Sequence, residues 1–221
     1  MVTVHHLNNS RSQRVLWLLE ELGAPYEVVR YERDAQTMLA PAALLRVHPL
    51  GKSPVITDDG VTVAESGAII EYLVDRYGEG RLIPPVGTPE RLRYTYWLHY
   101  AEGSAMPPLL LKLVFDRVAA RPMPWPAGAV ARRIASSVQQ AFIGPQLERH
   151  LNFMESELAV RPWFAGAQFS AADVQMSFPL EAARSRAGLD ARRPKLVDFL
   201  SRIRARSAYQ RALERGGPYG F

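Results

Sequence analysis

HPLGKSPVITDDGVTVAESGAIIEYL, residues 48–73, passes from turn to hairpin to helix and supplies candidate ligand-binding groups at each change of direction. Pro49-Leu50-Gly51 is a turn signal, and Val55-Ile56-Thr57 is a short β-branched run. Asp58-Asp59-Gly60 then carries the Asp-Gly pair that closes antiparallel strands, and Val61-Thr62-Val63-Ala64 reads as the returning strand. Glu65-Ser66-Gly67 opens a helix whose apolar positions include Ile69, Ile70 and Leu73.

The polar residues of this stretch suit an extended, zwitterionic ligand. Ser66 stands at a helix start, where its hydroxyl and the unpaired amides of the first turn can face a carboxylate. Glu65 offers the opposite charge to an ammonium. Pro54 has no N–H and holds Ser53 extended, so the Ser53 backbone can pair with a ligand strand. The alternative is a plain hairpin followed by an ordinary N-capped helix.

Upstream, Val2–Leu7 and Tyr26–Tyr31 alternate as strands, and Val15, Leu18, Leu19 and Leu22 recur at helical spacing before Gly23. Residues 2–31 therefore form a βαβ unit with parallel strands, and ligands of such units sit at the carboxyl ends of the strands. Here that end is Asn8 to Ser12. A loop and a short helix over Pro41–Val47 lead into the hairpin, completing βαβ then ββα. Tyr77–Pro89 is Gly/Pro-rich and reads as a linker, placing one domain at 1–82 and an all-helical one at 83–221.

In the second domain Thr88-Pro89 starts a helix, and Met106-Pro107-Pro108 must kink or break it. Ala127–Leu158 reads as one long helix bent at Gly144-Pro145. Ser170-Ala-Ala-Asp173 is a capping box, with Phe169 and Val174 as its hydrophobic staple, and losing Asp173 is expected to cost about 1 kcal/mol. Shorter helices near 194–205 and 207–215 finish the chain.

Composition narrows the chemistry. The 221 residues are 48% hydrophobic and 22% charged, as in ordinary globular proteins. No apolar run is long enough to span a bilayer and the start lacks a signal-peptide layout, so the expected location is cytoplasmic. Cysteine is absent, which excludes disulfides, thiolate metal sites and a cysteine nucleophile. If sulfur takes part, the ligand brings it. The net charge is +5, and residues 181–215 alone hold ten basic against four acidic groups. Without a recognition motif or interleaved aromatics, that excess reads as a solvated basic face, with nucleic acid unlikely.

The order βαβ–ββα, linker, helical domain resembles the cytosolic-type, serine-type glutathione S-transferases, bacterial and fungal members above all. The resemblance rests on Ser10 in NNSRSQRVLWLLEELG, on Lys52-Ser53-Pro54, on Glu65-Ser66, on the Ser170/Asp173 box and on WLHYAEGSAMPPLLL at 97–111. It implies an α/β thioredoxin-like N-terminal domain plus an all-α C-terminal domain, glutathione as cosubstrate, no metal and a homodimer. Ser10 would hydrogen-bond the glutathione sulfur. Lys52 would approach the glycine carboxylate, Ser53 would pair with the cysteinyl unit beside cis-Pro54, and Glu65 and Ser66 would hold the γ-glutamyl ammonium and carboxylate. Asn9 and Ser12 remain alternatives for the sulfur contact. An arginine common after Glu-Ser is here Gly67, which leaves room for other ligands of glutathione such as Gln36 or His48.

The expected reaction follows from thiol chemistry. A thiol of pKa about 8.5 is mostly protonated at neutrality, and a shift of about two units, from a hydroxyl donor and a helix N-terminus, makes the thiolate dominant. The thiolate then attacks a small apolar electrophile, held by Tyr100, Ser104 and Met106, with Phe115 a further wall or simply core. Glutathione-dependent disulfide or peroxide reduction uses the same thiolate. A non-catalytic interaction module on the same fold is the rival from outside enzymology.

Overall fold

The computed structural model describes every residue except Ala35, Met38, Pro218 and Phe221. Strand β1 (Val2–Leu7), helix α1 (Ser12–Leu22) and strand β2 (Tyr26–Tyr31) form the expected βαβ unit, with Val2 opposite Tyr26 and Leu7 opposite Tyr31 in parallel register. Strand β3 (Val55–Asp58) pairs antiparallel with β1 on its other side and with β4 (Val61–Ala64), giving the order β2-β1-β3-β4. Between β3 and β4 both turn residues, Asp59 (φ 46°) and Gly60 (φ 84°), take the left-handed conformation that a two-residue hairpin requires. The Ser53–Pro54 peptide is cis.

The hairpin is bolted to the next helix, α2 (Ser66–Tyr77). Asp58 is buried and accepts from Tyr72 at 3.0 Å and from Tyr77, while the Met1 ammonium lies 3.3 Å away. These donors hold its carboxyl below the ordinary range even though burial works the other way. On the other face of the hairpin helix, Ile69, Ile70 and Leu73 enter the core as their spacing predicts.

Two long helices carry the second domain, and each contains a widened π-turn ahead of proline. Helix α3 (Pro89–Tyr100), capped by Thr88, runs through 101–105 into α4 (Met106–Ala120). Helix α5 (Ala127–Val138) runs through 139–143 into α6 (Gly144–Val160). Neither path breaks. A proline withholds its hydrogen bond from the carbonyl four residues upstream, so the helix widens there, before Pro107-Pro108 and before Gly144-Pro145. The kink expected at the prolines is thus absorbed one turn earlier.

Helix α7 (Ala171–Arg186) starts on the capping box: the Ser170 amide and hydroxyl reach Asp173 at 2.9 and 3.1 Å. It is buried along most of its length, with α3, α4 and α8 (Pro194–Arg204) around it. Helix α9 (Ser207–Gly216) leaves that bundle and packs on α1. Helix α1, between the sheet and α9, is consequently buried from Ser12 to Leu19, and Trp17 meets Tyr209 edge-on at 5.2 Å.

Part of the basic excess of the C-terminal stretch is paired across the fold. Arg206 pairs with Glu21 and Arg211 with Glu20, both on α1. Arg215 lies over the Tyr26 ring and donates to its carbonyl, and Arg204 stands 3.7 Å from the buried Glu181. A solvated basic face was the expectation; Arg206, Arg211 and Arg215 instead fasten α9 to the first domain and Arg204 ties α8 to α7, while Arg192 stays exposed. No helix among the described residues is long and apolar enough to cross a membrane.

Candidate functional site

The carboxyl end of β1 and the first turn of α1 gather three serines. Ser10 Oγ is 2.7 Å from Ser12 Oγ and 3.4 Å from Ser53 Oγ, and it accepts from the Ser12 amide at 3.2 Å. Ser53 Oγ in turn donates to the His5 carbonyl at 3.0 Å. Loop 8–12 and the turn before β3, far apart in sequence, therefore meet side chain to side chain. Helix α1 begins without a side-chain cap, so its positive end is directed at this loop.

Among the candidates for a sulfur contact the structure separates roles. Ser12 has no exposed surface and bonds His6 Nδ1 at 2.9 Å, beneath Ser10. Asn9 takes a left-handed φ of 48° and uses its Oδ1 to accept from the Gly220 amide at 3.0 Å, so its side chain serves the C-terminal segment. Ser10 lies between them, against Ser53.

The hairpin side contributes the rest. Lys52 is exposed just ahead of half-buried Ser53 and buried Pro54. Glu65 is exposed and held at φ 71°, a conformation costly for any residue with a Cβ, of order 1–3 kcal/mol. Strain of that kind at the junction of β4 and α2 turns the Glu65–Ser66 corner sharply and marks a functional candidate. Ser66 is buried, and its hydroxyl accepts from Arg14 Nη2 at 3.0 Å.

Arg14, which the sequence reading did not single out, sits at the centre of the domain interface with 2% of its surface exposed. Besides Ser66 it donates to the Gln175 carbonyl at 2.7 Å and to Glu102, which belongs to the first π-turn. Glu102 also takes Arg11 Nε at 2.9 Å. Burial alone would push the Glu102 carboxyl up; Arg14 and Arg11 hold it below its ordinary value. Burial lowers the Arg14 pKa, and Glu102 opposes that. Where the family pattern has an arginine after Glu-Ser, Gly67 here faces Gln175 of α7, and a guanidinium reaches the Ser66 corner from α1 instead. No local sequence signal could reveal this, because the partners of Arg14 stand in three other elements.

The walls proposed for a second substrate fare differently. Tyr100 is buried in the helical domain, its hydroxyl 2.6 Å from His150 Nδ1 and its ring against Tyr96, Trp97 and Phe153. That packing seats the ring between α3 and α6. Met106 is core, Phe115 packs against the core, and Ser104 is half-buried in the π-turn that carries Glu102. The residue beside the site is Phe178 of α7, with the Arg11 and Arg14 guanidinium carbons 5.1 and 5.2 Å from its ring centre. Tyr219 also comes close, donating to Glu181 at 3.0 Å. His48 turns back on its own loop, 3.4 Å from the Leu50 amide, and the backbone N–H of exposed Gln36 donates to Asp34, so neither is joined to the serine cluster by these bonds. Among the described residues no cluster of three His, Cys, Asp or Glu could hold a metal.

Comparison with known proteins matches residues 1–75 to the glutathione S-transferase N-terminal domain and residues 139–207 to the glutathione S-transferase C-terminal domain. Glutathione S-transferase 3 of Schizosaccharomyces pombe is 39% identical over 185 residues, covering 83% of this chain and 75% of that protein. Glutathione S-transferase 1 of Saccharomyces cerevisiae is 31% identical over 100% of this chain and 97% of its own length. Among solved structures, a glutathione S-transferase from Actinobacillus pleuropneumoniae superposes with a TM-score of 0.81 at 33% identity, over 98% of this chain and 93% of that one. A sphingomonad glutathione S-transferase complexed with glutathione gives 0.74 at 25% identity, over 97% and 98%.

Proposed function

The chain belongs to the glutathione S-transferase family, and from that membership and the geometry above we propose that it binds glutathione along the serine groove, ionises its thiol and directs the thiolate at electrophilic small molecules. The observation that carries this reading is the meeting of Ser10 and Ser53 in front of α1, with Ser66 joined to the same helix through Arg14. An extended tripeptide laid along these groups would place its γ-glutamyl end at Glu65 and Ser66, its cysteinyl unit at Ser53 and its glycine carboxylate toward Lys52. The relative that holds glutathione supports the ligand.

Ser10 donates a hydrogen bond to the sulfur anion and removes no proton itself; the positive end of α1 adds to the effect. The thiolate lone pair forms the new S–C bond, and the electrophile's leaving group departs with the displaced electrons. A cytoplasmic homodimer completes the proposal. Exposed Leu92 and Tyr96, one turn apart on α3, together with exposed Val61 on β4, support a second copy packing there.

Calorimetric titration with glutathione tests the binding, and thiolate absorbance of the bound tripeptide tests the chemistry. Ser10→Ala should still bind glutathione but lose most of the thiolate signal at neutral pH. Binding with undiminished absorbance would move the sulfur contact away from Ser10, and no binding by the unaltered protein would overturn the reading.

A further inference from the structure

Beyond α9 the described residues lie along the first turn of α1, running the opposite way. Gly216 is pressed on Gln13, so closely that a Cβ there would stand 2.4 Å from Gln13 Oε1. Gly220 donates its amide to Asn9 Oδ1 at 3.0 Å. The path from Gly216 to Gly220 thus matches the path from Gln13 back to Asn9, with Ser10 and Arg11 in between. The exit from α9 is fixed on both sides of its turn. Arg30 Nη2 donates to the Arg215 carbonyl at 2.6 Å, and Gly217 takes a φ of 81° that glycine adopts without a Cβ clash.

A second bond ties this tail to the helical domain. Tyr219 donates to Glu181 Oε2 at 3.0 Å, while Tyr209 of α9 holds the other carboxylate oxygen. Glu181 keeps 3% of its surface, so the Tyr219 bond is charge-assisted and out of water, the stronger of the two. The Gly220 bond, at exposed Asn9, is the weaker. On α7, Glu181 follows Phe178 by three residues and shares its face, and the Phe178 ring lies beside Arg11 and Arg14. The tail therefore bridges from α7, one turn past Phe178, to the loop that carries Ser10. An electrophile meeting a sulfur at Ser10 from the helical domain has to pass along this bridge.

We propose, resting on the glutathione reading above, that the tail walls the second-substrate cleft and that Tyr219 selects compact electrophiles over bulky ones. The Tyr219 ring packs partly buried against the core and is fixed on α7 through its hydroxyl. The Gly220–Asn9 bond keeps the strap laid against the β1–α1 loop. Two features suit a wall better than a clamp on the fold. Helix α9 is already fastened by Arg206, Arg211 and Arg215, so the tail is not needed to hold it. Asn9, directly before the residue of the sulfur contact, takes a left-handed φ of 48° and spends its one side-chain acceptor on the tail.

Benzyl chlorides carrying a para-alkyl group from methyl to octyl, each assayed with glutathione, read the wall directly. The unaltered protein should lose kcat/KM steeply as the alkyl group lengthens. Tyr219→Ala should raise kcat/KM for the longest member about tenfold or more and leave the shortest within about twofold, with the Kd for glutathione unchanged. Asn9→Gly accepts the positive φ without strain and frees the Gly220 end, so it should move the long members the same way by a smaller factor. Because Tyr219→Ala could fold poorly, a version ending at Gly217, which keeps all of α9, supplies an independent reading with the same pattern expected. One common factor across the series, or no change, shows that the tail is only a clamp and overturns the wall while leaving the transferase reading intact. No turnover of any member by any form, or no binding of glutathione, overturns both.

Discussion

Arg14 and Glu102 show how one buried pair can serve both the fold and the site. A guanidinium enclosed to this degree is tolerable only with its donors used and an anion beside it, and Glu102, Ser66 and the Gln175 carbonyl meet most of that requirement. Replacing Glu102 by Gln keeps the shape and removes the charge. Since Glu102 is 30% exposed, screening reduces the loss, and about 2 kcal/mol of stability is expected to go in urea unfolding at neutral pH. The same change should raise the KM for glutathione several-fold with less effect on kcat, because Arg14 then holds Ser66 less firmly. The sign of the pH effect follows: the folded pKa of Glu102 is depressed, so its contribution is present above the ordinary carboxylate value and is lost as pH falls below it. A stability unchanged by Glu102→Gln at pH 7 would show that Arg14 needs no counter-charge. At this scale Ser10, Ser53, Glu65 and Ser66 were legible as candidates because each sits at a local signal, a strand end, a proline turn or a helix start. Arg14 was not, because on α1 it looks like any polar position of an amphipathic helix until the fold buries it.

Element boundaries followed the sequence where a terminus carries its own chemistry. The Asp-Gly turn, the Thr88 cap and the Ser170/Asp173 box all stand where their signals put them, whereas the prolines of the long helices revealed an irregularity but not its position. The box is also stronger than a lone cap. Asp173 takes the Phe164 amide at 2.8 Å in addition to the Ser170 amide, tying the loop before α7 to the helix start. Asp173→Ala would strand both amides in the interior, so a cost of about 2–4 kcal/mol is expected instead of the roughly 1 kcal/mol of a cap alone. Burial raises the Asp173 carboxyl to about 6 in spite of those donors. A raised folded pKa means stability that is fully present below the unfolded value and declines as pH climbs through about 6. Relative to Asp173→Asn, the unaltered protein should lose about 2 kcal/mol between pH 4 and pH 7, measured by urea unfolding at each pH. A difference that does not change with pH would mean that Asp173 ionises like a surface carboxylate.

Across the whole molecule the two domains share α1, and that sharing has a thermodynamic consequence. Its inner face covers the sheet and its outer face carries α9, with Trp17 against Tyr209 and Glu20 and Glu21 against Arg211 and Arg206. Composition alone could not expose these pairings, since a local count of charges is blind to partners more than 180 residues away. Nor does the first domain retain a complete core without the second, because removing α7 and α9 opens Leu16, Trp17 and buried Arg14 to water. Cooperative loss of both domains is therefore expected. Amide exchange followed through rising urea should show protection disappearing from β1 and from α7 at the same concentration. A version ending at Arg206, which lacks α9, should lose protection in β1 and α1 first, well before α7, because the surface it uncovers lies on α1. If β1 in the intact chain instead exchanges at distinctly lower urea than α7, the domains open separately and the interface around Arg14 is no more than a contact.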